Sequence, residues 1–155
     1  MDYIVRGLPV QDFRALFGLG HEALRERGVV RQWAAAKPGY PCRITLQDAE
    51  PGESLLLLAW EHQDAGTPYR SGGPIFVRES ATATFEARNH IPEQQRSRLL
   101  SVRAYDEAGW MHGADVVEGT GLESLIGTFF ADPKIDYLHV HNARRGCYAC
   151  RIDRG

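Results

Sequence analysis

The chain has 155 residues, of which 43% are hydrophobic and 25% are charged, and its formal net charge is −2. This length suits a single domain over residues 1–155, and the charge argues against nucleic acid or an anionic membrane surface as a partner. No segment reaches the roughly 18 apolar residues of a membrane span, and the amino terminus lacks a signal-peptide pattern, so we expect a cytoplasmic protein. An odd number of cysteines, three, favours free thiols over a disulfide framework.

The first half of the chain predicts short helices followed by strands. Val10, Phe13, Leu16 and Phe17 recur at helical spacing, and Gly28 is a typical helix stop. The continuous apolar run 55–60 is typical of a strand covered on both faces. In chain order, the predicted elements are a strand over 2–6, helices over 10–17 and 21–27, strands over 42–46 and 55–60, a loop over 69–74 and a strand over 75–79.

The second half predicts two hairpins separated by one helix. The helix spans 121–130, with Leu122, Leu125, Ile126 and Phe129 on its apolar face and a capping box formed by Thr120 and Glu123 before it. The predicted hairpin strands are 99–106 with 110–117, and 135–142 with 147–153. The inventory predicts an α+β fold: a single domain with a mainly antiparallel sheet and a few short helices packed on it.

The last hairpin carries the candidate catalytic residues. His139 and His141 are two apart on a predicted strand, so both imidazoles point to the same face. If Arg144 and Arg145 form the tip, His141 lies opposite Tyr148 and His139 lies opposite Cys150. The ordinary pKa of histidine lies near neutrality, which suits both residues to general acid/base catalysis.

The same face predicts a possible zinc site as the one candidate cofactor. Imidazole nitrogens and thiolates are the usual zinc ligands in proteins. The candidate ligands are Cys42, His139, His141 and Cys150. Cys147 and Cys150 are three apart on a predicted strand and point to opposite faces, so they are not expected to chelate together.

A second candidate site is an anion pocket around the segment 70–73. Arg70 and Ser71 precede two glycines, and a turn there can present backbone N–H groups to a carboxylate or phosphate. Arg103 and Arg151 are expected to converge on the same ligand, because the guanidinium group binds oxyanions bidentately. The alternative is that the arginines of this protein pair with nearby acidic residues such as Asp106 and Asp153.

Six motifs in order along the chain resemble one protein family, catalogued as domain of unknown function 1203. The motifs are Tyr40–Arg43, Pro51–Glu53, Tyr69–Arg70, Gly73–Glu79, Arg103–Asp106 and Gly146–Arg154. The resemblance implies a stand-alone bacterial protein of about this length. It implies no activity, cofactor or catalytic residue.

The leading functional hypothesis is therefore a pocket of Arg and His side chains that binds a small anionic molecule, with catalysis left open. The alternatives are a non-catalytic module that binds a protein partner, and a His/Cys zinc-binding protein. A concave pocket around the two histidines would favour the enzyme, and a flat exposed face would favour the interaction module.

Overall fold

The computed structural model describes all 155 residues, and its regular elements are mostly short strands. The strands are β1 (Tyr3–Arg6), β2 (Val30–Trp33), β3 (Ser54–Gln63), β4 (Ser71–Arg78), β5 (Glu86–Arg88), β6 (Leu99–Tyr105), β7 (Met111–Glu118), β8 (Tyr137–Asn142) and β9 (Tyr148–Arg154). The α-helices are α1 (His21–Glu26), α2 (Glu93–Arg96) and α3 (Leu122–Phe130). Short 3-10 turns cover Val10–Asp12, Arg14–Leu16 and Gly119–Gly121.

The strands form two antiparallel sheets. The larger sheet has six strands in the order β5-β1-β9-β8-β6-β7, and the smaller sheet has three in the order β2-β3-β4. The predicted α+β fold, a single domain with a mainly antiparallel sheet and a few short helices, is confirmed. None of the helices is both long and apolar enough to cross a membrane.

The main core lies between α3 and one face of the larger sheet. Leu122, Ile126 and Phe130 of α3 are each 1% exposed and pack against Leu138 and Val140 of β8. Leu125 and Phe129, predicted to share the helix face, are only partly buried at its edge. The apolar run 55–58 does not join this core, because Leu55 and Leu56 lie in two separate hydrophobic clusters beside the smaller sheet.

Several local predictions fail where tertiary contacts outweigh local pattern. Residues 42–46 form a turn instead of a strand, with Leu46 in the left-handed region at φ 52°. The predicted capping box is absent: Gly121 precedes α3, and Glu123 accepts a hydrogen bond from the Tyr3 hydroxyl at 2.8 Å. Residues 10–17 form two 3-10 turns instead of one helix.

We expect Ile126→Ala to lower the free energy of unfolding by about 2–5 kcal/mol, because it leaves a cavity in the main core. Leu125→Ala should cost less, since Leu125 is only partly buried. Exposed Ser124 on the same helix is the control, and Ser124→Ala should change stability by less than about 0.5 kcal/mol. Equal losses for Leu125→Ala and Ile126→Ala in urea melts would contradict this assignment of the helix face.

Candidate functional site

Strand β8 carries the candidate site on the face that points away from α3. Leu138 and Val140 point into the main core, so the alternating residues Tyr137, His139 and His141 point to the opposite face. This second face is also buried: His139 is 2% exposed and His141 is 1% exposed. The two histidines therefore lie neither on a flat exposed surface nor on the wall of an open cleft.

The strands on either side place further polar side chains beside these histidines. His139 pairs with Arg103 of β6 on one side and with Arg151 of β9 on the other. His141 pairs with Ser101 and with Tyr148. Directly opposite residues in an antiparallel sheet share a face, so all four neighbours lie on the side of the histidines.

A β-bulge in β9 decides which residues of that strand reach the site. Val140 lies opposite Cys150 and His141 opposite Tyr148, so Ala149 is an extra residue in β9. The predicted pairing of His141 with Tyr148 is confirmed, whereas the predicted pairing of His139 with Cys150 is wrong. The bulge shifts the alternation by one residue and places Arg151 opposite His139, with Cys150 in the main core.

A second bulge brings His62, which no sequence pattern marked as a site residue, close to His139 and His141. Glu61 and His62 of β3 lie opposite a single residue of β4, Gly72. A Cβ atom on Gly72 would lie 2.8 Å from the Trp60 carbonyl oxygen, so glycine permits this close approach. The next residue, Gln63, donates from Nε2 to the Tyr137 hydroxyl at 2.9 Å and so anchors the end of β3 to β8.

His62, His139 and His141, here called the histidine cluster, converge through their ring nitrogens. One ring nitrogen of each lies within 4.8 Å of one nitrogen of each of the other two. The His62 ring stacks on Tyr148 at 5.1 Å and meets the His141 ring edge-on at 4.8 Å. Nδ1 of His62, Nδ1 of His139 and Nε2 of His141 are all buried without a hydrogen-bond partner in the protein.

The proton of His141 can be assigned from its one hydrogen bond. Nδ1 of His141 lies 2.9 Å from the Gly146 carbonyl oxygen. A carbonyl can only accept, so Nδ1 carries the proton and donates it. Burial lowers the pKa of His141 to about 4, although the Gly146 hydrogen bond opposes the shift. At neutral pH the ring is uncharged, and Nε2, which is buried without a hydrogen-bond partner, holds a free lone pair.

The other two imidazoles are also held in the neutral form. Burial lowers the pKa of His139 to about 2, with the charge of Arg151 as the next cause. Burial also lowers the pKa of His62, with Arg103 as the second cause. Two histidines with pKa values this low are poor proton donors at neutral pH, but neutral imidazole is the form that binds metal ions.

The structure does not bring the predicted thiol ligands into the histidine cluster. Cys42 is fully buried in a hydrophobic cluster beside the smaller sheet. Its Sγ accepts hydrogen bonds from the backbone N–H groups of Ile44 and Arg78. Cys150 is fully buried in the main core, and burial raises its pKa to about 12. Cys147 is half-buried and accepts a hydrogen bond from the buried Arg43 at 3.1 Å.

The predicted anion-binding residues also separate into two groups. Ser71 lies in β4, paired with Gln63, so the segment after Arg70 is a strand and does not form the predicted anion-binding turn. Arg70 is exposed and binds Glu61 through both Nε and Nη2, at 3.1 and 2.9 Å. Arg103 and Arg151 flank His139; Arg151 pairs with Asp153, whereas Arg103 makes no ion pair.

The low pKa values of the buried histidines predict loss of stability in weak acid for chelator-treated protein. A histidine in the unfolded chain has a pKa of about 6.5, whereas the pKa of His141 in the folded protein is about 4. Stability is therefore complete above pH 6.5 and falls as the pH drops towards 4, by up to about 1.4 kcal/mol per pH unit for each imidazole.

Urea melts at pH 7 and pH 5 measure this dependence where most carboxylates remain ionised. His141→Gln should reduce the change in the free energy of unfolding between pH 7 and pH 5. His90→Gln, at an exposed position, should leave this change as it is in wild type. If His141→Gln and wild type lose the same stability between pH 7 and pH 5, the pKa of His141 is not lowered in the folded protein.

Comparison with known proteins identifies a family match and nothing more specific. A family model described as "Protein of unknown function (DUF1203)" matches residues 39–154. No curated protein and no solved structure matches the chain. The matched segment contains all three members of the histidine cluster together with Arg103 and Arg151.

Proposed function

The chain belongs to the DUF1203 family, and we propose from the geometry of its histidine cluster that it binds a divalent transition metal, zinc first, through His62, His139 and His141. The observation that carries this proposal is the convergence of one ring nitrogen from each of three histidines, each of which also has one buried ring nitrogen without a hydrogen-bond partner. Each unsatisfied buried polar group costs about 1–3 kcal/mol, and one metal ion would satisfy all three at once.

The spacing of the nitrogens is compatible with this proposal. Tetrahedral zinc holds imidazole nitrogens at 2.0–2.1 Å, which separates the ligand atoms from one another by about 3.3 Å. The observed limit of 4.8 Å therefore requires the nitrogens to approach by at most about 1.5 Å. His62 is half-buried on a bulge at the end of β3, and it is the member with most freedom to move.

The hydrogen-bond partner of one ligand, His141, also supports the proposal. Histidines that bind metals typically donate their other ring N–H to a carbonyl or carboxylate, which sets the tautomer and the ring orientation. His141 has this arrangement through the Gly146 carbonyl at 2.9 Å. Tyr148 packs against the rings of all three histidines and holds the cluster away from bulk solvent.

Three neutral nitrogen ligands define the chemistry that such a centre supplies. Three protein ligands leave a fourth position of tetrahedral zinc for water or substrate, the pattern of catalytic sites, and the ion lowers the pKa of a bound water to about 7. The ligand set differs from the His/Cys set expected from the sequence, because His62 takes the place of Cys42 and Cys150. Burial of His139 and His141 gives no support to the alternative of a protein-interaction module.

We expect untagged protein dialysed against zinc to retain one equivalent per chain, measured by elemental analysis. His139→Gln and His141→Gln should each weaken zinc binding at least about 100-fold, because two nitrogens form a much poorer site than three. His62→Gln should weaken binding likewise, although His62 lies far from the other two in sequence.

His90→Gln, at an exposed histidine outside the cluster, is the matched control and should retain the metal. Wild-type protein that binds no zinc, cobalt, nickel or copper above the level of His62→Gln would overturn the proposal. Retention of one equivalent by all three cluster variants would overturn it as well.

Gly72→Ala tests the bulge without changing any ligand. The added methyl group collides with the Trp60 carbonyl oxygen, so the bulge that directs His62 must rearrange. We expect zinc affinity to fall at least about tenfold, which corresponds to about 1.4 kcal/mol. Gly73→Ala is the control, because a Cβ atom there meets nothing within 4 Å. Equal zinc affinities for the two variants would show that the bulge does not position His62.

A further inference from the structure

The surroundings of the histidine cluster carry positive charge without matching negative charge. The convergent ligand atoms come from three histidines and include no carboxylate, so a divalent ion bound there would keep its full double charge. Arg103 lies directly opposite His139 on the same face and makes no ion pair. Arg43, 2% exposed, bonds two carbonyls and the Cys147 thiol, with no carboxylate partner.

Two carboxylates near the histidine cluster, those of Asp153 and Glu61, are already bound to arginines. Asp153, on the strand next to His139, binds Arg6 and Arg151 at 3.1 and 2.8 Å. Glu61, next to His62, binds the exposed Arg70 at 2.9 Å. Of the two arginines that flank His139, Arg151 binds Asp153 and stacks 4.0 Å above the Tyr137 ring, whereas Arg103 has a side-chain hydrogen bond with Tyr105 and no carboxylate partner.

We propose that the metal centre takes a small oxyanion, of the carboxylate, carbonate or phosphate class, at its fourth position, and that Arg103 binds this oxyanion. The proposal rests on the proposed metal site. A half-buried guanidinium without a counter-ion is unfavourable, and an oxyanion bridging Arg103 and the metal would neutralise both. The planar guanidinium matches the geometry of an oxyanion, which accepts two parallel N–H hydrogen bonds from it.

The burial of the site limits the size of this ligand. Tyr105, Tyr137 and Tyr148 are 1%, 6% and 4% exposed and enclose His139 on three sides. The less buried members of the site are His62, Ser101, Arg103 and Arg151, so a ligand would enter between the two sheets past these residues. This arrangement suits an anion of a few heavy atoms and not a nucleotide or peptide.

Cobalt-loaded protein tests the proposal, because the visible spectrum of Co²⁺ changes when its fourth ligand changes. Acetate, bicarbonate and phosphate are titrated separately, with ionic strength held constant by perchlorate. At least one of them should give a saturable spectral change in wild type. Arg103→Met should bind that anion at least tenfold more weakly while retaining one equivalent of cobalt, and Arg103→Lys should recover part of the affinity.

Arg144→Met, at an exposed arginine of the β8–β9 turn, is the matched control and should titrate like wild type. Loaded wild type whose spectrum responds to none of the three anions would overturn the oxyanion site and leave the metal centre standing. Equal anion affinity in Arg103→Met and wild type would overturn the role of Arg103. Wild type that loads no metal would overturn the metal centre, and the oxyanion site with it.

Discussion

Burial of strand β8 on both faces is the constraint on which the rest of the structure depends. One face supplies Leu138 and Val140 to the main core against α3. The other face supplies Tyr137, His139 and His141, which are buried just as thoroughly. Burying apolar side chains is favourable, but burying imidazoles requires that their nitrogens be satisfied or that the protein bear the cost. On this face, ring nitrogens of His139 and His141 are buried without hydrogen-bond partners, and a bound ligand would supply those partners.

Two β-bulges turn this buried face into a candidate site. The bulge at Ala149 in β9 places Arg151 beside His139 and moves Cys150 into the main core. The bulge in β3, opposite Gly72, directs His62 towards the other two histidines. Each bulge inserts one residue and so changes the face to which all following side chains point. The composition of the site therefore depends on two local irregularities in otherwise regular strands.

The electrostatic character of the site follows from the residues that the sheets bring together. Desolvation holds the three imidazoles neutral, and the arginines around them favour the neutral form further. Such a site suits a metal cation through its lone pairs and an anion through Arg103. The two proposals thus describe one centre, in which the ligand would neutralise the charge that the metal and the arginine bring.

The sequence by itself determined the fold class, most of the strands and the shared face of His139 and His141. Those features depend on periodicity along a single segment, and strand alternation makes residues two apart point the same way. Pairing of His141 with Tyr148 also followed from the hairpin, because the turn lies close to that pair. The partner of His139 could not be predicted, because a bulge at Ala149 lies between the turn and that pair. The residues Tyr148, Ala149 and Cys150 carry no sequence signal for a bulge.

Only the tertiary structure decided that His62 joins the cluster and that Cys42 and Cys150 do not. His62 lies on a different sheet, 77 residues before His139 in the chain. It reaches the cluster because Gly72 permits the bulge and Gln63 binds Tyr137. The lack of a carboxylate partner for Arg103 was likewise decided by the structure, whereas Arg151 binds Asp153 only two residues further along β9. Strand alternation determines the face to which a side chain points as far as the next bulge, whereas the packing of the sheets determines where the bulges lie and what each side chain contacts.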